Sequence, residues 1–493
     1  MSESEPPTEG PSVPAVPPEV PAEMPTSVPT ISPEKRLQTR VMNVFGSVIN
    51  GFNIGHLLLI LFALHLFAMS FPNGNNPPQY VFDEAYYVPA AQDLLHLVPS
   101  NLEHPFLGKI WGALGIYLFG NSFFGWRIFY VIIGTATVGV FYELARVFFS
   151  KEKALLAASF LGFETLFFIH TSLALLEGPP IFFALLGFLA YFKKRYYWSA
   201  IAFGLCILSK EWGTYFVASL FLYHVYATRK IPFKQLFSTA SVKRLIIFIV
   251  VVIAVVGIPL TAYDQLYHPY ESTLSTVGTV ITQLPNGTQI TSTNTTLSHY
   301  NFVNFFWQNF QYYYSYHTGL TMSNSDYSDP WQHLAWYWVL PLNVNPAQYY
   351  VTTVTVTTTA NNGTVISKTF LHPIDWLGIG NLVIWLSFWI IVPVIIFKAI
   401  RRMATQLDAL IAALIVGTYG PNLILSGIYH RVVYSFYFVN TDPALALGIP
   451  MVITFIAPDS VKLQRILALV WLGAAIVFFI MFYPIHPSAS LSG

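Results

Sequence analysis

The amino-acid sequence predicts an all-α polytopic membrane protein. Three observations carry that reading: an apolar composition, recurrent apolar segments of membrane length, and a one-sided distribution of positive charge. Of 493 residues, 54% are hydrophobic and only 10% charged, and the mean hydropathy is +0.55. A soluble domain carries about 25% charged residues, so this chain reads as one solvated mainly by lipid.

Segments approaching the roughly 20 apolar residues needed to cross a bilayer fall at about 52–71, 126–145, 154–171, 178–192, 197–209, 213–227, 245–262, 377–398, 407–427, 432–456 and 466–483. The expectation is therefore about 11 transmembrane helices. With the N-terminus in the cytoplasm and sides alternating at each span, 19 of the 24 Lys and Arg residues fall inside. The five outside are Lys109, Arg127, Lys210, Lys368 and Arg431. This asymmetry obeys the positive-inside rule and isolates external cations beside acidic or aromatic motifs. The net charge of +1 gives no sign of nucleic-acid binding. The single cysteine, Cys206, excludes an intrachain disulfide.

Four regions follow. Residues 1–35 form a tail whose first 33 residues hold ten prolines, five glutamates and no basic residue; a disordered cytoplasmic spacer is expected, not a signal peptide. Residues 36–262 form a transmembrane core with its first external loop, over about 72–125, where Asp93–Leu97 and Leu107–Phe119 read as interfacial helices. Residues 263–376 form a large external region. Its Thr-, Val- and Ile-rich stretches Ser272–Ser298 and Tyr349–Phe370 turn at Pro285-Asn286-Gly287 and Asn361-Asn362-Gly363 and read as β-hairpins. An aromatic block lies between them, from Phe302 to Trp338, and three glycosylation sequons start at Asn286, Asn294 and Asn362. Residues 377–493 form the C-terminal helices.

Unusual charges mark the chemistry. Asp83-Glu84 lies about a dozen residues after the first span, in an aromatic segment that anchors it at the headgroup level. A carboxylate pair there is costly near lipid and useless for packing. His104-Pro105-Phe106-Leu107-Gly108-Lys109 and Arg127 supply cations suited to a lipid-phosphate group. Glu177 and the Lys210-Glu211-Trp212 turn add a second acid and cation on the same face. In the aromatic block, His317 and Trp331 suit a sugar or peptide acceptor, or equally a membrane-interface belt. Arg431, before Tyr434 and Tyr437, suits a donor phosphate or sugar, with snorkelling to headgroups as the competing role. Glu164, inside the third apolar segment, is expected to have a hydrogen-bonded packing role. The chain lacks HExxH, CxxC and DxD spacings and phosphate-binding glycine loops, so no metal or nucleotide cofactor is expected.

In this order the motifs resemble the GT-C glycosyltransferases, most closely the dolichyl-phosphate-mannose–protein mannosyltransferases. The resemblance rests on Asp83-Glu84, the His104–Lys109 run, Trp126-Arg127 leading to Gly134, Leu175-Leu176-Glu177, Ser328-Asp329-Pro330-Trp331 with Trp338–Pro341, and Tyr429–Pro443. Phe106 and Glu177 stand where the family usually has Pro and Asp. The large external region is too short for the β-trefoil module of eukaryotic members, so a prokaryotic-like member is implied. The resemblance implies a GT-C fold, an external active site and inverting transfer of mannose, or a related hexose, from a polyprenyl or dolichyl phosphate to a protein Ser/Thr hydroxyl. Asp83 would be the general base and Glu84 would shape the acceptor site. Arg127, with His104, Lys109 or Arg431, would bind the donor phosphate. The alternatives are a lipid acceptor and, from another class, a multispan transporter. A transporter is disfavoured because the charges gather at one face and not at mid-membrane.

Overall fold

In the computed structural model the described residues are 51–71, 80–229, 239–267, 279–283, 289–293, 311–317, 319–323, 333–339, 348–350, 353–359, 365–371, 374–483 and 485–487. The tail, the three sequons and Trp331 lie outside them. Helix α1 (Ile54–Ala68) opens with a capping box in which the Asn53 side chain accepts from Gly55 N and His56 N. It is followed by α2 (Glu84–Leu95), α3 (Leu107–Phe119), α4 (Phe123–Ala145), α5 (Lys151–Gly162), α6 (Thr165–Ser172), α7 (Gly178–Phe192), α8 (Tyr196–Ser209), α9 (Gly213–Thr228) and α10 (Thr239–Tyr267). After a strand-bearing segment come α11 (Leu382–Trp385), α12 (Phe388–Ile400), α13 (Gln406–Thr418), α14 (Gly420–Gly427), a 3-10 turn over Ser435–Thr441, α15 (Asp442–Ile456) and α16 (Val461–Met481).

Every one of the eleven apolar segments contains helix, but not as eleven full spans. Among the described residues six helical stretches are long and apolar enough to cross a membrane, seven when the bent pair α5–α6 counts as one. Helices α1, α7, α8 and α9 have 15, 15, 14 and 16 residues. At 1.5 Å per residue these reach only ~21–24 Å, short of the ~30 Å hydrocarbon core. Glu177 and Lys193 stand at the two ends of α7, and Lys210 at the end of α8.

The third apolar segment breaks by 66° between α5 and α6, and Glu164 explains the break. Its side chain caps α6 by accepting from Phe167 N at 2.6 Å and also accepts from Asn381 N at 2.7 Å. Asn381 in turn donates to Phe163 O and Ala475 O. The carboxylate thus ties the kink to the C-terminal helices, which is the hydrogen-bonded packing role expected from the sequence.

Between α1 and α3, the first three residues of the amphipathic stretch anticipated at Asp93–Leu97 are the end of a longer helix, α2, which starts at Glu84 and ends at Leu95. Helix α3 starts two residues after Pro105 and has the expected bounds. The segment between α10 and α11 contributes strands β1 (Thr279–Gln283) and β2 (Gln289–Thr293), paired antiparallel, and β4 (Thr353–Thr359) and β5 (Val365–Leu371), also antiparallel. Strand β6 (Ile374–Gly378) pairs antiparallel with β3 (Gln348–Tyr350) and with β7 (Ile485–Pro487), a sheet that the sequence did not suggest.

Helix α4 is the centre of the N-terminal half, in contact with α1, α3, α5, α6 and α7. Where α2, α3, α4 and α10 meet, Val88, Ala91, Ala113, Ile116, Trp126, Tyr130 and Tyr263 form a buried cluster. Gly108 lets α3 approach the end of α8: a Cβ there would collide with the Ser209 carbonyl oxygen, a backbone atom that cannot rotate away. Tyr130 Oη donates to Gly108 O at 2.8 Å and fixes the same turn from α4. Gly108→Ala should therefore destabilise the protein by about 1–3 kcal/mol through overpacking. Gly139→Ala in α4, where the nearest atom to a new Cβ is Leu58 Cδ1 at 3.4 Å, should leave the thermal unfolding midpoint in detergent unchanged or raised.

Candidate active site

The short turn Val81–Glu84 sets the position of Asp83. Phe82 sits at φ 54°, the left-handed region that a bulky side chain rarely occupies. Its ring meets Phe436 edge-on at 5.3 Å. The turn is closed by Glu84, whose Oε2 accepts from Val81 N at 2.9 Å, and Glu84 is itself fixed by Arg127. Arg127 Nε and Nη2 donate to the two carboxylate oxygens at 2.7 and 2.6 Å, and Nη1 donates to the carbonyls of Met69 and Phe71. Glu84 Oε1 also accepts from Ala174 N at 2.8 Å. Both side chains are 0% exposed. The pair therefore joins the end of α1, the start of α2, helix α4 and the α6–α7 connection.

Asp83 precedes α2 without capping it. Tyr87 Oη, one helical turn on, donates to its Oδ2 at 3.3 Å. Asp83 has no ion pair among the described residues. Burial and the negative charge of Glu177 push its pKa up to about 6, against the opposing pull of Lys210, His170 and the Tyr87 hydrogen bond.

Glu177 stands just before α7, whose first turn contains Pro179 and Pro180. Its Oε1 accepts from Lys210 Nζ at 2.6 Å and its Oε2 meets His170 Nδ1 at 2.8 Å, all three side chains being nearly inaccessible. Burial opposes its ionisation, but Lys210 and then His170 hold the carboxyl well below the usual range. Lys210 also lies over the Trp212 ring, 3.9 Å from its centroid. Trp212 in turn meets Tyr437 edge-on at 3.9 Å.

The next carboxylate, Glu211, faces two histidines. Its Oε2 lies 2.8 Å from His104 Nδ1 and its Oε1 lies 3.3 Å from His317 Nε2. Burial again opposes ionisation, yet the two imidazoles hold this carboxyl well below its ordinary range. Arg431 is almost buried and bonds only to neutral acceptors in the contacts it makes here. Its Nε donates to His317 O at 2.7 Å, its Nη1 to Val432 O at 3.0 Å, and its Nη2 meets His317 Nδ1 at 2.8 Å. An antiparallel bridge between Thr321 and Arg431 docks this part of the chain onto the C-terminal half.

Of the residues marked in the sequence, the structure gathers Asp83, His104, Glu177, Lys210, His317 and Arg431 into one polar cluster. Glu84 and Arg127 turn inward to each other beneath it. Lys109 points back to Asn101 O and Oδ1 and to His104 O, so it braces the loop that carries His104. His170 and Tyr87 were not singled out. His170 lies seven residues before Glu177 within an apolar segment, and Tyr87 stands one turn after Asp83; only those weak spacings pointed to them.

Removing one partner of a buried ion pair leaves the other unpaired and costs roughly 3–5 kcal/mol. Glu84→Ala and Arg127→Ala should each be destabilised on that scale. The double variant Glu84→Ala/Arg127→Ala should lose much less than the sum, as measured by denaturation in detergent and a double-mutant cycle.

The sequence model of the family "Dolichyl-phosphate-mannose-protein mannosyltransferase" matches residues 103–255. A polyprenol-phosphate-mannose–protein mannosyltransferase of Mycobacterium tuberculosis is 24% identical over 460 residues, covering 84% of each chain. One from Corynebacterium glutamicum is 38% identical over 79 residues, 13% of this chain and 15% of that one. Among solved structures, the Saccharomyces cerevisiae protein O-mannosyltransferase Pmt1-Pmt2 complex bound to the sugar donor superposes with a TM-score of 0.66 at 11% identity, covering 87% of this chain and 89% of that one. The same architecture therefore recurs where almost no sequence is shared. With its several membrane-length apolar helices, the chain is a multi-pass membrane protein that is similar, over residues 103–255, to the dolichyl-phosphate-mannose–protein mannosyltransferase family.

Proposed function

We propose that the protein transfers mannose, or a related hexose, from a polyprenyl or dolichyl phosphate to a Ser or Thr hydroxyl of an exported protein, with inversion at the sugar carbon. The observation that carries this reading is the distribution of charge in the cluster. Glu84 is paired with Arg127 and Glu177 with Lys210, and Glu211 meets the imidazoles of His104 and His317; Asp83 is the carboxylate of this cluster with no cationic or imidazole partner in direct contact among the described residues. A general base needs that availability, and a pKa near 6 keeps Asp83 ionised at neutral pH yet more basic than an ordinary aspartate.

Asp83 accepts the proton of the acceptor hydroxyl as its oxygen attacks the sugar carbon from the side opposite the phosphate. One carboxylate suffices for such a single displacement, and no covalent sugar–enzyme intermediate is needed. Negative charge builds on the departing lipid phosphate. Arg431 suits that charge best, since the bonds it makes here go to neutral acceptors. The charge of Arg127, by contrast, is already met by Glu84, so its contribution is to hold the Asp83 turn. The mannosyl donor and protein acceptor follow from the names of the relatives. The strong inside bias of Lys and Arg supports a cytoplasmic N-terminus and an active site on the external face.

Labelled polyprenyl-phosphate-mannose and a Ser/Thr-rich peptide, supplied to purified membranes, test the assignment. Wild type should label the peptide, and Asp83→Asn should lower the rate about 10²–10⁴-fold at equal expression. Label entering only lipid would assign a lipid acceptor; no transfer to either would overturn the donor assignment. In the wild type, kcat/KM should rise about tenfold per pH unit below pH 6 and level off above it, because the ionised carboxylate is the active form. That limb should vanish in Asp83→Asn.

A further inference from the structure

We infer that His104, Glu211 and His317 form a site for one first-row divalent metal ion, with Zn²⁺ the ion that best fits the donors. The three residues come from separate parts of the chain: the loop before α3, the turn between α8 and α9, and the end of the helical segment 311–317. One ligand atom from each lies within 4.8 Å of the other two. Metal bonds of about 2.0–2.2 Å in a tetrahedron place neighbouring donors about 3.4 Å apart, close to the 3.3 Å between Glu211 Oε1 and His317 Nε2.

That contact is the telling one. Both atoms are buried and, though they face each other, neither makes a hydrogen bond. Buried polar atoms are ordinarily satisfied, and a cation between them would satisfy both at once. Two imidazoles and a carboxylate suit zinc, with a fourth position left for water. Magnesium and calcium prefer all-oxygen shells.

Ligation through His317 Nε2 puts the ring proton on Nδ1. Arg431 Nη2, now 2.8 Å from Nδ1, must then turn aside, while Arg431 Nε keeps its 2.7 Å bond to the His317 carbonyl. His104 Nδ1, now 2.8 Å from Glu211 Oε2, must likewise turn or offer Nε2. The ion would tie the large external region to the α8–α9 turn and to the first external loop. His104 meets Tyr87, the partner of Asp83, at 5.8 Å between rings, so the site would stiffen the wall beside Asp83 and supply no step of the transfer itself.

The test is metal content and spectroscopy on the full-length protein purified in detergent. Elemental analysis after exchange into metal-free buffer should find about one zinc per chain. After chelator treatment, Co²⁺ should restore visible tetrahedral d–d absorption that saturates at about one equivalent. His104→Gln and His317→Gln should abolish both signals, and His96→Gln, on the exposed end of α2, should keep them. Folded wild type that shows neither zinc nor Co²⁺ bands would overturn the site and leave a hydrogen-bonded His–Glu–His network. So would zinc retained at full stoichiometry by both cluster variants. Neither readout depends on sugar transfer, so the metal site and the proposed reaction stand or fall separately.

Discussion

A single buried ion pair, Glu84 with Arg127, holds the polar end of this protein together. Its two charges are fully withdrawn from solvent, so each oxygen and each N–H must find a partner. The partners come from four places: the carbonyls of Met69 and Phe71, the amide of Val81, the amide of Ala174 and the guanidinium itself. That requirement fixes the exit of α1, the entry of α2 and the α6–α7 connection around α4. It also holds Phe82 in a left-handed conformation that an isolated peptide would avoid. Asp83 owes its position to this neighbour.

Above the pair, the cluster sorts its charges by what each meets. Lys210 and His170 neutralise Glu177; His104 and His317 face Glu211. Low-dielectric surroundings make such pairing decisive, since an unpaired buried charge is expensive. Asp83 and Arg431 stand out as the acid and the cation that the cluster does not cancel. In the proposed reaction one takes up a proton and the other faces a developing phosphate charge. Aromatic faces from Trp212, Phe436 and Tyr437 fill the space around them.

Broken helices serve this arrangement. The Glu164 kink, the Gly178-Pro179-Pro180 start of α7 and the Lys210 end of α8 all interrupt apolar segments near the polar groups. Each interruption frees backbone groups, and side-chain caps satisfy several of them, as Glu164 does for Phe167 N. The short helices are the cost of bringing charges from many segments to one place.

The sequence by itself determined the class, the order of the helical segments and most of the functional candidates. Apolar length and charge asymmetry are local properties, and the lipid-facing chain must display them whatever its neighbours do. Asp83, Glu177, Lys210 and Arg431 were visible because a charge is conspicuous against so apolar a background. Tertiary structure alone decided which charge cancels which. Arg127 reads in the sequence as a phosphate ligand, and only the fold shows that Glu84, 43 residues away, meets it. Glu211 and His104 are 107 residues apart, and no motif spacing encodes that meeting. Pairing in a desolvated interior depends on distances across helices, and those are set by the packing of the whole fold, not by any segment read alone.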